Sequence, residues 1–312
     1  MRNAIVKVLN DLAEVDNRLI LLVGDIGYGV FEEFQTKYRK NFYNMGIAEA
    51  NMISVAAGLA KQGFKPVVYT IVPFLIHRAF EQIKIDVALH KLPVTLIGVG
   101  GGLAYDKLGP THHALEDLGV MSQLPNVSIF TPSSPLQAQK SLHHAFSSVK
   151  GPQYIRLGKN GEANLLGDDL NESYKSAFNP VIQRIKGENL AIFSNGPITE
   201  LVEKSISILN SLKIYPALFD VIQRKPVPVD LICKYLDDFD HAVFIEEHYP
   251  QGSLFSELMT SQKVLNRTCK LKNLSIPNKF FEEVKSRHEI LDEIGLSPDK
   301  IASSVLHFWK GM

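Results

Sequence analysis

Hydrophobic positions along the chain come in two alternating textures. Short runs rich in β-branched residues, Leu19 to Val23, Pro66 to Thr70, Pro93 to Val99, Val127 to Phe130 and Tyr154 to Leu157, are apolar almost without interruption. A strand covered on both faces needs that continuity, because its side chains point alternately to two dry sides, so these runs predict a mostly parallel sheet. Between them, apolar residues recur at helical spacing over Ala48 to Gln62, Phe74 to His90 and Pro135 to Ser148, and an amphipathic pattern at the N-terminus predicts a further helix. Together they predict an α/β layered domain over residues 1–158.

After Arg156 the pattern lapses into Gly158-Lys-Asn-Gly-Glu-Ala-Asn and Gly167-Asp-Asp-Leu-Asn-Glu-Ser, polar and turn-rich, which reads as a linker over 159–187. Periodicity resumes at Leu190. Strands are expected over Leu190 to Gly196, Tyr215 to Val221 and His241 to Glu246, with helices over Ile198 to Leu212 and Val229 to Asp237. Residues 188–312 thus predict a second, smaller domain, and the fold class is two α/β layered domains with mostly parallel sheets. No internal repeat or low-complexity tract interrupts this plan.

Composition narrows the classes of function. The 312 residues carry 33 basic and 33 acidic side chains and are 45% hydrophobic. That balance describes a soluble globular protein without a polyanion-seeking surface and argues against nucleic acid as a partner. Cys233 and Cys269 lack any CxxC spacing, so neither a disulfide framework nor a cysteine zinc site is indicated, and a reducing cytoplasm fits. No apolar run reaches membrane-spanning length, and the N-terminus lacks a signal-peptide apolar block, which argues against a membrane location or export.

Three stretches carry candidate chemistry. The first, Asn44-Met-Gly-Ile-Ala-Glu49, places one carboxylate in the first turn of a helix that is otherwise apolar and small. Such a charge is either a helix-end anchor stabilised by the macrodipole or a working acid/base. Met45, Ile47, Met52 and Ile53 are expected to surround Glu49, and desolvation in that setting favours a shared proton. The second, Tyr69 to Gln82, is a strand end followed by an aromatic and cationic helix start, and the carboxyl end of a strand in an open sheet faces a ligand crevice. Phe74 and Phe80 there are either pocket walls or core. The third, Val99-Gly-Gly-Gly-Leu-Ala-Tyr-Asp-Lys-Leu-Gly-Pro-Thr-His-His113, is crowded with glycine, which permits close backbone approach but lacks the spacing of a dinucleotide loop. His112 and His113 have no third ligand at a recognised metal spacing, so acid/base work or substrate hydrogen bonding suits them better.

Taken in order, these stretches resemble the pyrimidine-binding and C-terminal domains of the transketolase family of thiamine diphosphate enzymes. The markers are Gly24-Asp-Ile-Gly-Tyr-Gly29, Met45-Gly-Ile-Ala-Glu49, Ala56-Ala-Gly-Leu-Ala60, the Phe74 to Gln82 segment, Gly109-Pro-Thr-His-His-Ala-Leu-Glu-Asp117 and Phe130-Thr-Pro-Ser-Ser134. Glu246-Glu-His248 is similar to the family's C-terminal signature and is read as structural or interfacial. The resemblance implies that Glu49 hydrogen-bonds N1′ of the cofactor's aminopyrimidine and promotes its imino tautomer. The 4′-nitrogen then removes the thiazolium C2 proton, and the carbanion attacks a ketose carbonyl for two-carbon ketol transfer to an aldose. It further implies that Phe74 stacks on the pyrimidine, with Phe80 a second wall and His77 and Arg78 in the cofactor-binding set. His112 would face substrate, with His113, Asp106 and Arg156 as further substrate contacts, Arg156 gripping a phosphate.

The departures from the family pattern matter as much. Gly100-Gly-Gly102 stands where sugar-phosphate transketolases carry a histidine, Asp106-Lys-Leu-Gly-Pro-Thr-His112 is longer than the family's segment, and the serine expected near Gly24 to Gly29 is missing. A sugar or sugar phosphate remains the expected substrate class. The family's Gly-Asp-Gly motif with its following Asn, which holds diphosphate and Mg²⁺, does not occur, and Gly167-Asp-Asp is not a substitute. The chain therefore resembles the C-terminal half of a split transketolase. An N-terminal partner subunit would supply the diphosphate domain and Mg²⁺, the cofactor would lie at the interface, and the pair would assemble as α2β2. Competing readings are the β subunit of a 2-oxo acid dehydrogenase and a non-catalytic scaffold subunit. Deoxyxylulose phosphate synthase fits less well, because it keeps its domains in one chain.

Overall fold

In the computed structural model, which describes residues 1–169 and 172–311, the chain first builds a layered unit around a sheet. Its elements are α1 (Arg2–Val15), β1 (Leu19–Val23), α2 (Glu32–Lys37), β2 (Phe42–Asn44), α3 (Glu49–Lys61), β3 (Lys65–Ile71), α4 (Val72–Gln82), β4 (Thr95–Val99), α5 (Asp117–Ser122), β5 (Ser128–Phe130), α6 (Pro135–Ser148) and β6 (Gln153–Leu157), with a π-helical turn Ile83–Ala88 after α4. The strands are parallel, in the order β5-β6-β4-β3-β1-β2. Side-chain alternation along β1 shows why its apolar run is continuous. Leu19, Leu21 and Val23 pack with α1, α2 and α6, whereas Ile20 and Leu22 pack with α3 and α4 on the other face.

The second unit is built from β7 (Val181–Ile185), β8 (Ala191–Ser194), α7 (Thr199–Ser211), β9 (Ala217–Val221), β10 (Gln223–Lys225), α8 (Val229–Leu236), β11 (His241–Ile245), α9 (Leu254–Leu258), α10 (Gln262–Leu265), β12 (Lys270–Leu274), α11 (Arg287–Glu293) and α12 (Pro298–Trp309). Its sheet runs β12-β11-β8-β9-β7, parallel except for β7. The fold class is the expected one: two α/β layered units with mostly parallel sheets.

Two features tie the units together. β10 follows β9 in the chain but pairs antiparallel with β5, at the edge of the first sheet. Leu103 and Leu115 leave the first unit to join the core formed by α7, α11 and α12. The stretch read as a linker, 159–187, is less of a tether than its composition suggests, because it ends in β7. Leu170 and Asn171, within it, lie outside the described residues.

The first sheet also positions a site. From β1 the chain steps outward to β2, then crosses back over β1 to β3, so the winding reverses between β1 and β3. Ligand crevices in open α/β sheets lie at the carboxyl ends of strands at such a reversal. The segments carrying Asp25, Glu49, Phe74 and Gly100 all leave strands at that edge.

Candidate functional site

The loop before α3 is tied down by polar contacts. Asn44 Oδ1 accepts from the backbone N–H of Asp25 at 3.1 Å and of Gly46 at 3.0 Å, joining the ends of β1 and β2. Gly46 has φ 71°, a left-handed conformation that a side chain would disfavour. The helix then begins at Glu49, whose carboxylate sits near the positive end of the macrodipole and is 3% exposed. The expected apolar shell is one-sided. Met52 and Ile53 are fully buried and Met45 is half-buried, but Ile47 is 74% exposed. On the other side stands a cation: Arg78 Nη1 donates to Glu49 Oε1 and Oε2, each at 3.2 Å.

Arg78 comes from α4, which starts with Pro73 in its first turn and carries Phe74, His77 and Arg78 on neighbouring positions of one face. The guanidinium carbon lies 3.9 Å from the Phe74 ring centroid, and the Arg78 side chain is 46% exposed. The continuous helix expected over Phe74 to His90 is broken. Ala79 has φ −121° and ψ 16°, and the π-helical turn follows. His77 Nε2 is 2.9 Å from Glu116 Oε1, and this bond raises the histidine above its ordinary range. Burial pushes the Glu116 carboxyl up, but His77 and the backbone N–H of Leu115 outweigh it, so the net shift is downward. Phe80, expected as a pocket wall, packs half-buried against the core under α3 and α4.

His112 completes the cluster. Its ring centroid is 5.1 Å from that of Phe74 and 5.8 Å from that of Tyr105, and Thr111 Oγ1 lies 2.9 Å from Nδ1. Burial, with the neighbouring His113 ring and the Arg78 charge adding to it, pushes His112 below the ordinary histidine range, which keeps the imidazole neutral at pH 7. The structure thus brings Glu49, Phe74, Arg78 and His112 together. Tyr105 and Lys159 border them, with Lys159 Nζ 4.8 Å from the Tyr105 centroid. Neither residue has a pattern that flags it. Tyr105 sits among glycines, and Lys159 falls in the stretch read as a linker.

Three expected substrate contacts lie elsewhere. His113 is buried, with Nε2 2.8 Å from the Asp106 carbonyl oxygen and its ring toward Phe281. The Asp106 carboxylate accepts from the backbone N–H groups of Lys107 at 2.7 Å and Arg287 at 3.1 Å. Arg156 is the most enclosed of the three. It is 3% exposed, and its guanidinium donates to Asp117 Oδ2 at 3.0 Å and to the carbonyls of Ala114 at 2.7 Å and Glu247 at 3.2 Å. In this structure the guanidinium expected to grip a substrate phosphate is engaged by internal acceptors.

The glycine loop is likewise explained by packing within the chain. A Cβ at Gly101 would meet Arg156 Nε at 2.6 Å, and one at Gly102 would meet Glu247 Cδ at 2.6 Å. The glycines let these two side chains pass under the loop, and Glu247 Oε1 accepts the Leu103 N–H at 2.7 Å and pairs with Arg287. Glu246 accepts from Asn195 Nδ2 at 2.7 Å and from the Leu254 N–H, and His248 Nε2 accepts from the Gly119 N–H at 3.3 Å. Glu246, Glu247 and His248 therefore act within the fold.

The donor set fits one end of a thiamine-type cofactor. A buried carboxylate and a half-buried aromatic ring, bridged here by the planar Arg78 guanidinium, suit a planar nitrogen base. Among the described residues, no group of three or more His, Cys, Asp or Glu side chains is arranged to hold a metal ion, and no helix is long and apolar enough to cross a membrane.

Comparison with known proteins bears on the same features. Residues 1–161 match the family model described as "Transketolase, pyrimidine binding domain". The 1-deoxy-D-xylulose-5-phosphate synthase of Dictyoglomus thermophilum is 30% identical over 301 residues, which cover 96% of this chain and 48% of that protein. The chain thus spans about half the length of that relative. A subunit of the apulose-4-phosphate transketolase of Phocaeicola vulgatus is 27% identical over 310 residues, 99% of this chain and 97% of that one. A solved structure described as "Split gene transketolase, inactive beta4 tetramer" superposes with a TM-score of 0.84 at 26% identity, over 99% of this chain and 97% of that chain. This chain belongs to the transketolase family and corresponds to its C-terminal half, the pyrimidine-binding domain followed by a second α/β unit.

Proposed function

We propose that the chain is one subunit of a split, thiamine-diphosphate-dependent transketolase that moves a two-carbon ketol unit from a ketose to an aldose. The observation that carries this reading is Glu49, a carboxylate almost fully buried at the start of α3 and linked through the Arg78 guanidinium to the Phe74 ring, which itself meets His112. Glu49 would share a proton with a ring nitrogen of the bound base, and Phe74 would stack on its face. His112, held neutral at pH 7, would exchange a hydrogen bond or proton with a sugar hydroxyl. The cofactor, when bound, would supply the nucleophilic carbon for ketol transfer.

A partner completes the site. Diphosphate and Mg²⁺ call for hard oxygen ligands, and the described residues offer no such set, so the N-terminal subunit would hold that end. Agreement over nearly the whole length of a relative that is itself named as a transketolase subunit supports a separate partner, and an α2β2 assembly would place two sites between chains. The experiment mixes this chain with a partner carrying the diphosphate domain, then supplies ketose plus aldose, Mg²⁺ and thiamine diphosphate. Ketol transfer is expected from the mixture and from neither chain alone, and turnover by this chain alone would remove the partner from the account. Similarity to 1-deoxy-D-xylulose-5-phosphate synthase favours a second reading. Formation of that product, or oxidation of a 2-oxo acid with a dye as acceptor, would replace ketol transfer as the reaction.

A further inference from the structure

We infer that Arg78 is a built-in occupant of the ring site, a guanidinium that must leave before a planar base binds, and that it sets this chain's affinity for the base. The inference rests on the cofactor reading above and deepens it. A guanidinium is planar, rich in N–H donors and able to stack on an aromatic face, so it satisfies the recognition set of an aminopyrimidine ring. It does so here at both points. Arg78 donates to both oxygens of Glu49 at 3.2 Å and lies 3.9 Å over the Phe74 centroid. Two planar groups cannot share that ring face and that carboxylate.

The surroundings allow the guanidinium to move. Nearly half of the side chain is exposed, so release does not require a cation to cross the core. The next residue, Ala79, already departs from helical dihedrals at φ −121° and ψ 16°, and a π-helical turn begins four residues further on. Local irregularity of this kind in an α-helix marks a place where the ladder of hydrogen bonds is already interrupted. Glu81, exposed and three residues along α4, offers the released cation an acceptor. A binding-competent state that is only fractionally populated weakens apparent affinity in proportion to that fraction.

Thiamine carries the pyrimidine ring without the diphosphate, so its binding probes the end of the site that this chain itself supplies. Isothermal titration of thiamine into the wild-type, R78A and R78K chains tests the proposal. The R78A chain is expected to bind about five- to twentyfold more tightly than wild type, the range set by losing one ion pair open to water on the arginine side and one cation–π contact. Lysine keeps the charge but not the plane, so R78K should fall between them. R78K keeps a cation beside the buried Glu49 and should match the wild-type melting temperature to about 2 °C, which separates its change in affinity from a change in folding. Equal or weaker binding by R78A would overturn the displacement and leave Arg78 a positioning residue for Glu49. Absence of thiamine binding in all three chains would instead overturn the cofactor reading.

Discussion

Glu49 and Asp117 are both buried carboxylates facing an arginine from another element, and the two pairs have opposite consequences. Asp117 and Arg156 are buried together, and the arginine also serves two backbone carbonyls while the aspartate accepts the Tyr154 hydroxyl at 2.6 Å. Neither charge can leave without stranding the other in a dry interior. Glu49 is as dry, but its arginine is half in water and rests on an aromatic face. A buried carboxylate whose partner can leave is available to a ligand. One whose partner is locked is part of the scaffold.

That contrast can be broken by measurement. Under the proposed function, Glu49→Ala in the assembled enzyme should lower turnover on the order of a thousandfold. Subunit assembly should survive, because the freed Arg78 stays solvated. Retained activity would show that Glu49 is only a helix-end anchor. Arg156→Ala should instead cost about 3–5 kcal/mol of unfolding free energy, read from chemical denaturation. A loss under about 1 kcal/mol would show that water reaches the Asp117 pair. Double-mutant cycles sharpen the comparison, with a coupling of about 0.5–1 kcal/mol expected for Glu49 with Arg78 and a severalfold larger one for Asp117 with Arg156.

The smallest expected effect concerns a third carboxyl, Glu203, which accepts the Leu166 N–H at 3.1 Å and which burial pushes up to about 7. A carboxyl whose pKa is higher folded than unfolded favours the fold while protonated, so its contribution falls as the pH rises from about 4.5 through about 7. Glu203→Gln, which keeps the acceptor without the charge, should raise the melting temperature at pH 8 by about 2 °C and change little at pH 4. Solvent reaches this half-buried group, which keeps the effect small. An equal shift at both pH values would exclude titration of Glu203 as the cause.

Some of the molecule was legible because a local pattern carries it. The buried strands announce themselves as continuous apolar runs, and Glu49 stands out as one charge among small apolar residues. Other elements were not. β2 is three residues long and largely exposed, and β12 is half-buried at a sheet edge, so neither shows the apolar run of a central strand. β10 is polar and takes its place through pairing with β5 across the boundary between the units. The same limit explains Arg156. Its partners Asp117 and the Glu247 carbonyl lie 39 and 91 residues away, so its burial has no local signature. The role of the triple glycine was not legible for a related reason: the groups it admits are side chains of this chain, brought in from β6 and from just beyond β11.

By itself the sequence determined the layered α/β plan, the family resemblance and a shortlist of chemistry-bearing residues, because periodicity and motif spacing are properties of neighbouring positions. Only the tertiary structure sorted that shortlist. It joined Glu49, Arg78, Phe74 and His112 in one run of contacts, turned His113 and Asp106 inward, and closed Arg156 beneath the glycine loop. The physical reason is that exposure and partner choice decide what a charge can do, and both depend on groups that the chain brings together only when it folds.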